Sequence, residues 1–215
     1  LVRDFAQQEI APVAEQLDET KSFPYAIVRR LGELGLMGIP FPEELGGAGG
    51  DTLAYAIAVE ELARIDSSVA ITLAAHTSLG TMPIYLFGSD EQKERWLPPL
   101  AGGRRLAAFG LTEPDAGSDA GATRTTATLR DDSWVVNGSK IFITNAGTEI
   151  THCVTITALT GEGEISNLVI ENGTPGYEIS GPLEKMGWKA SDTRALSFAD
   201  CAVPAENLLG ARGEG

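Results

Sequence analysis

The stretch Phe109 to Ala122, FGLTEPDAGSDAGA, decides how the rest of the chain is read. Beyond its first residues it is neither a regular helix nor a central strand. Pro114 removes a backbone donor, while Gly110, Gly117 and Gly121 open backbone geometries closed to other residues. Thr112, Ser118 and a series of main-chain N–H groups crowd hydrogen-bond donors into a small volume. Such a loop suits a ligand with carbonyls, ring nitrogens and phosphates, because glycine lets the backbone come close. No Gly-Lys-Ser/Thr follows, so it is not a P-loop, and it does not open a helix as a dinucleotide fingerprint does. Taken alone, a Gly/Pro/Asp cluster is an ordinary turn.

A second stretch changes that weighting: Trp134 to Gly147, WVVNGSKIFITNAG. Asn137-Gly138 between two apolar runs predicts a hairpin, because a type I′ turn needs positive φ at both central residues. Side chains alternate along the returning strand, so Lys140, Phe142 and Thr144 are expected on one face and Ile141 and Ile143 on the other. An aromatic ring and a hydroxyl two positions apart can stack on a planar heterocycle and hydrogen-bond its edge. By itself the same pattern also describes a core phenylalanine beside a good strand former.

Upstream of these stretches the pattern is helical. Val2, Phe5, Ile10, Val13, Ala14 and Leu17 keep a helical spacing across Pro12. Ser22-Phe23-Pro24 starts a helix running to about Leu34, and Gly35 ends it. Met37 to Gly50 is too rich in Pro and Gly for regular structure. Asp51-Thr52 caps a helix from about Leu53 to Ile65, with an apolar face expected from Leu53, Ala56, Ile57, Val59 and Ala63. Asp66 to Leu86 follows as a long helix of small residues, bent near Met82-Pro83. His76 within it reads as a packed or surface residue rather than a catalyst. Ser89 and Asp90 cap a helix through Trp96, which Pro98-Pro99 is expected to stop.

From about Leu106 the period changes to two. Thr123 to Leu129, the arms around Asn137-Gly138, His152 to Leu159, Ile165 to Ile170, Tyr177 to Ser180 and Thr193 to Phe198 read as short strands. Gly161 to Gly163 and Gly173 to Gly176 make turns between them. The fold class is therefore α+β and multidomain. An all-helical N-terminal domain, residues 1–105, precedes an antiparallel β-barrel or sandwich domain, residues 106–215, with the boundary at Gly102-Gly103.

A chain of 215 residues, 43% hydrophobic and 21% charged, buries a substantial core and has an ordinary globular composition. Its apolar runs read as shorter than a membrane span. Cys153 and Cys201 allow a single disulfide but offer no framework or metal spacing, and read rather as two reduced thiols in a cytosol-like compartment. A net charge of −14 argues against nucleic acid and anionic membranes. The same charge is awkward for a polyanionic ligand, which would need a local positive rim; Arg124, Lys185, Lys189 and Arg194 are candidates on charge alone.

Together the two decisive stretches resemble the acyl-CoA dehydrogenase family: FGLTEPDAGSDAGA its first signature, KIFITNAG the strand that follows. LGLMGIPFPEELGGAGGD, FGSDEQKERWLPPLAGG and EKMGWKASDTRALSFADCAVPAENLLG extend the likeness over essentially the whole chain, in the family's order. One departure is Phe142, where the family more often has Trp. The resemblance implies FAD-dependent α,β-dehydrogenation of an acyl-CoA thioester in fatty acid β-oxidation. Electrons would pass to an electron-transfer flavoprotein. DAGSDAGATRTTA looks most like short-chain members.

By the same resemblance, Phe109, Gly110, Leu111, Thr112, Gly117 and Ser118 line the flavin, together with Phe142, Ile143 and Thr144. The Thr112 hydroxyl and nearby backbone would meet the pyrimidine edge, Thr144 would hydrogen-bond N5, and Phe142 would pack on the ring. Ser118 would also touch the CoA part of the substrate. Glu113 and Asp115 are declined as the base, which in the family is a glutamate of a C-terminal helical domain expected after Gly215. No residue here is therefore assigned as catalytic, and no metal is expected. The implied setting is a homotetramer in the cytoplasm, or in the mitochondrial matrix if eukaryotic. The competing readings are a flavin- or CoA-binding module lacking its base, a structural subunit, or an oxygen-using relative such as an acyl-CoA oxidase or a flavin monooxygenase. Sequence beyond Gly215 forming a helical bundle with a glutamate would remove the first two of these.

Overall fold

Capping side chains set where the helices begin. The computed structural model describes residues 1–215. The Asp51 carboxylate accepts the Ala54 N–H at 2.7 Å and starts α4, Thr52–Ala63. Asp66 accepts the N–H groups of Ser68 and Val69 and starts α5, Ser67–Ala74. Ser89 and Gln92 form a reciprocal capping box at the head of α7, Asp90–Ala101. Before these come α1, Val2–Phe5, continued as a π-helical turn over Ala6–Ile10, then α2, Ala14–Thr20, and α3, Tyr25–Glu33. Gly35 follows α3 at φ 72°, as its predicted stop requires.

Helix α5 runs without a break into a π-helical segment, Ala75–Thr81, and then α6, Met82–Phe87. The widened turns lie directly before Pro83, whose missing N–H interrupts the hydrogen-bond ladder. This 21-residue helix is long and apolar enough to cross a membrane, longer than the apolar runs of the sequence were read to allow; 56% of its most apolar window is buried within the fold.

Two helical expectations are corrected. Helix α7 does not stop at Pro98-Pro99 but passes through both to Ala101. Trp96, Leu97, Leu100 and Ala101 are all buried, and their packing outweighs the two donors that the prolines lack. In α4 the buried side chains are Ala58 and Leu62, flanked by half-buried Tyr55 and Val59, while Leu53 is 67% and Ile57 51% exposed. The helix leans on its neighbours through Tyr55, whose hydroxyl donates to the Ala74 carbonyl, and turns the predicted apolar face outward except for Val59.

Eight strands follow: β1 Leu106–Gly110, β2 Thr126–Arg130, β3 Ser133–Thr144, β4 Thr151–Gly161, β5 Glu164–Glu171, β6 Tyr177–Ile179, β7 Thr193–Pro204 and β8 Leu208–Leu209. They form one sheet in the order β6-β7-β3-β2-β4-β5-β8, with β1 also on β4. The sheet is mixed and open, which corrects the expectation of an antiparallel barrel. Both β1 and β2 run parallel to β4, Gly110 opposite Ile156 and Thr126 opposite Leu159. After β1 the chain does not turn back; it leaves as the loop 111–125 and re-enters farther along the same side of β4. Trp134, Val136, Ile143, Leu168, Phe198 and Val203 belong to the core of this half. Cys153 and Cys201 are both buried free thiols.

Asn137-Gly138 is not a hairpin turn. The tight turn is Asp131-Asp132, with Asp131 at φ 50°, and β3 runs straight through Asn137. There the pairing with β7 slips. Asn137 exchanges hydrogen bonds with Asp200, its Nδ2 donating to Oδ1 at 3.1 Å and its Oδ1 accepting the Asp200 N–H at 2.9 Å. Gly138 adopts φ 147°, and a Cβ on it would lie 2.7 Å from the Thr125 Cα. The dipeptide thus makes a bulge that admits β2 at close range.

Candidate functional site

The loop 111–125 is closed at its neck by one side chain. Glu113 accepts the Thr123 hydroxyl and the Thr125 N–H on Oε1, both at 3.0 Å, and the Arg124 N–H on Oε2 at 2.7 Å. These bonds hold Thr123 to Thr125 in the loop, which is why β2 begins at Thr126 rather than Thr123. Main-chain bonds between Glu113 and Ala116 make a small turn inside it. None of Gly110, Gly117 or Gly121 takes a positive φ. What Gly110 contributes is closeness: a Cβ there would sit 3.2 Å from the Lys140 Cγ.

Lys140 is the residue against which the loop is built. Its ammonium is wholly buried and donates to Glu113 Oε1 at 2.7 Å, Thr157 Oγ1 at 2.9 Å, and both Thr123 Oγ1 and the Leu111 carbonyl at 3.2 Å. Burial works against the charge on both partners. For Glu113 the bonds from Lys140, Thr125 and Arg124 win, and its carboxyl is held down at about 2. For Lys140 burial wins and its pKa is lowered, with Glu113 opposing the shift. A carboxylate so held is a poor proton acceptor, which agrees with declining Glu113 as a base. Asp115 is exposed and paired with Arg124 at 2.7 Å.

Lys140 does not share a face with Phe142. A second slip in the β3–β7 pairing falls between Lys140 and Ile143, and Phe142 sits at φ 63°, so alternation fails there. Lys140 and Ile143 point inward, and the Phe142 ring is 64% exposed. The bulge brings Phe142, Ile143 and Thr144 together on one cleft of about 240 Å³ with Phe109, Leu111, Thr112, Ala75 and Leu79. Six of the nine sequence-designated residues therefore converge. Gly110 lies behind the cleft, and Gly117 and Ser118 stand exposed at the loop tip, with nothing within 4 Å of a Cβ on Gly117.

The cleft has spare donors. The N–H groups of Leu111 and Thr112 bond to nothing within the chain, and the Thr112 and Thr144 hydroxyls are likewise free. A larger cavity of about 550 Å³ lies between α2 and the start of α3, lined by Leu17, Phe23, Tyr25 and Arg30. Its charged residues Glu9 and Arg30 pair with each other, and no residue of either decisive stretch lines it. The four candidate rim cations are also engaged: Lys185 by Thr193 and the Ser191 carbonyl, Lys189 by Asp18, Arg194 by Asp192, and Arg124 as above.

Residues 1–104 match the acyl-CoA dehydrogenase N-terminal domain and residues 108–201 the middle domain of the same family. The chain belongs to the acyl-CoA dehydrogenase family. It is 51% identical over 215 residues to the Bacillus subtilis protein named "Probable acyl-CoA dehydrogenase YngJ", covering 98% of this chain and 56% of that one. Among solved structures it is similar to butyryl-CoA dehydrogenase from Megasphaera elsdenii, with a TM-score of 0.94, 43% identity, and coverage of 100% of this chain and 57% of that one. It is also similar to an acyl-CoA dehydrogenase from Bacillus anthracis complexed with FAD, with a TM-score of 0.92, 39% identity, and coverage of 100% and 37%. The chain thus spans little more than half the length of the curated relative.

In this acyl-CoA dehydrogenase family member, reading the sequence missed part of the cleft lining and the ion pair beneath it. Ala75 and Leu79 come from the π-helical segment, and no local pattern in a run of small residues announces which face will meet a distant strand. The buried Lys140–Glu113 pair was hidden too, though a lysine inside a strand of apolar residues was a signal that it needed a partner.

Proposed function

We propose that this chain forms the flavin-facing part of an FAD-dependent acyl-CoA dehydrogenase that desaturates a short-chain acyl-CoA between Cα and Cβ. The observation that carries the reading is the convergence of Thr112, Phe142 and Thr144, from two separated segments, on one cleft with unpaired donors. Those donors and the exposed aromatic ring fit a flat heterocycle with acceptors on its edge. FAD bound there would supply the acceptor for the β-hydride.

The chain's own residues would bind and orient. The N–H groups of Leu111 and Thr112 and the Thr112 hydroxyl would hold the pyrimidine edge, the Thr144 hydroxyl would donate to N5, and Phe142 would cover one face. Leu79, Leu111 and Phe109 would exclude water, which strengthens each of those hydrogen bonds. Gly117 and Ser118 at the loop tip would face the CoA chain. The α-proton needs a carboxylate that is free to take it, and Glu113 and Asp115 are both committed elsewhere. We assign the base to the part of the relatives' length that this chain does not span.

Domains at 1–105 and 106–215, a homotetramer, a cytoplasmic or matrix setting, and transfer of electrons to an electron-transfer flavoprotein belong to the same proposal. Anaerobic titration of the whole protein with butyryl-CoA, following the flavin absorption band, tests it. Bleaching is the expected result. A bound flavin that no acyl-CoA bleaches would overturn the dehydrogenase reading, and reoxidation by dioxygen in preference to an electron-transfer flavoprotein would make the protein an oxidase.

A further inference from the structure

The two halves of the cleft share no direct bond through the groups assigned to the cofactor. Their connection runs underneath, through one ammonium. Lys140 lies two residues before Phe142 on β3. It reaches across to the Leu111 carbonyl and the Glu113 carboxylate, the residues on either side of Thr112. A main-chain bond adds to this, the Ile141 N–H donating to the Thr112 carbonyl at 2.8 Å. Thr112 is therefore gripped from three consecutive positions by two consecutive residues of the strand that carries Phe142 and Thr144.

The rest of the shell keeps that grip rigid. Thr157 on β4 and Thr123 at the loop neck also accept from the ammonium, so Lys140 has four acceptors for three protons and no freedom to turn. Glu113 in turn receives the backbone of Arg124 and Thr125. Gly110 and Ile156 close the space over the Lys140 stem. Neither charge reaches the surface of the cleft: Lys140 and Glu113 lie below it, and neither lines it.

We infer that Lys140 and Glu113 are positioning residues for the flavin, an internal clamp that sets the distance between the Thr112 donors and the Phe142–Thr144 end of β3. A buried pair need not add to stability, since apolar groups of similar volume often serve as well. Its value here is geometric. Two hydrogen-bonding edges must meet one rigid ring at once, and a shift of the loop relative to the strand would satisfy only one of them. This inference rests on the flavin reading given above.

The test uses the whole protein and three variants. Lys140→Met with Glu113→Gln removes both charges together, so no lone charge is left buried. Thr157→Val withdraws one acceptor and keeps the shape. Lys140→Arg keeps the charge but not the reach. FAD affinity is measured by fluorescence quenching, the visible circular dichroism of bound flavin reports its setting, and thermal unfolding without FAD reports the fold.

The expected result for the double variant is a melting temperature close to the parent's, FAD affinity reduced at least tenfold and an altered flavin dichroism band. Thr157→Val should lose two- to fivefold in affinity, and Lys140→Arg should not restore the parent spectrum. A folded double variant with parental affinity and dichroism would overturn the clamp. If the double variant does not fold, parental affinity and spectrum in Thr157→Val and Lys140→Arg would overturn it equally. A parent protein that binds no FAD would sink the flavin reading and the clamp together. A loss of affinity in Phe142→Ala and Thr144→Val but not in the clamp variants would sink the clamp alone.

Discussion

Nδ1 of His76 accepts the main-chain N–H of Ala107 at 3.1 Å, and its Nε2 donates to the Leu100 carbonyl at 3.0 Å. One imidazole thereby ties the π-helical segment to the end of α7 and the first strand of the sheet. That segment also gives the cleft Ala75 and Leu79. The ring must be neutral, because a proton on Nδ1 would face the Ala107 N–H donor to donor.

Burial drives the His76 pKa down from 6.5 to about 4, with the Leu100 bond opposing the shift. The unfolded chain binds a proton below pH 6.5 that the folded chain refuses until about pH 4. Stability from this group is therefore complete above pH 6.5 and falls as the pH drops through that window, by about 3 kcal/mol in total. His76→Asn, whose side-chain oxygen can accept from Ala107, should unfold with a shallower pH dependence between 6.5 and 4. Urea denaturation of both proteins across that range measures it, and parallel curves would refute the assignment.

Gly138 should tolerate no side chain. Its φ of 147° and the approach of Thr125 both exclude a Cβ. Gly138→Ala is expected to cost about 2–4 kcal/mol, from strained backbone and overpacking together. Gly117→Ala is the control: space around Gly117 is open and its φ is ordinary, so its melting temperature should not move.

The same glycine marks where sequence reading succeeded and where it failed. Caps at Asp51 and Ser89 act through hydrogen bonds within three residues, so they were visible, as was the change to a two-residue period near Leu106. Asn137-Gly138 has the local chemistry of a turn, but its conformation answers to Thr125 and Asp200, which no local pattern contains. Alternation failed at Phe142 for a similar reason, a bulge forced by pairing with β7. Helix α7 survived two prolines because burial of Trp96 and Leu100 is a tertiary effect. The candidate site was legible chiefly through resemblance; its residue types were plain, whereas the clamp beneath it needed coordinates.

Thr144→Val should separate binding chemistry from folding. The hydroxyl makes no hydrogen bond within the protein, and valine matches its shape, so thermal unfolding without FAD should be unchanged. Without its bond to N5, worth about 1 kcal/mol, flavin reduction by butyryl-CoA should slow roughly fivefold. Stopped-flow reduction measures it, and an unaltered rate would remove Thr144 from the cofactor.

Phe142 combines two features that seldom coincide in a residue kept for stability: a ring 64% exposed and a left-handed φ of 63°. The left-handed conformation costs an L-residue about 1–2 kcal/mol, and an exposed ring returns little of it through burial. Strain of this kind is kept where the surroundings need a side chain aimed in one direction. Phe142→Gly should relieve the backbone and raise stability without FAD by about 0.5–1 kcal/mol, after allowing for the greater freedom of glycine in the unfolded chain. The same change should weaken FAD binding about tenfold or more, since the ring stacked on the heterocycle is lost. Phe142→Trp keeps the strain and enlarges the ring, so it should leave stability without FAD unchanged and bind FAD at least as tightly as the parent. Calorimetry with and without FAD distinguishes the two effects. A glycine variant that is less stable without FAD would make Phe142 an ordinary packing residue.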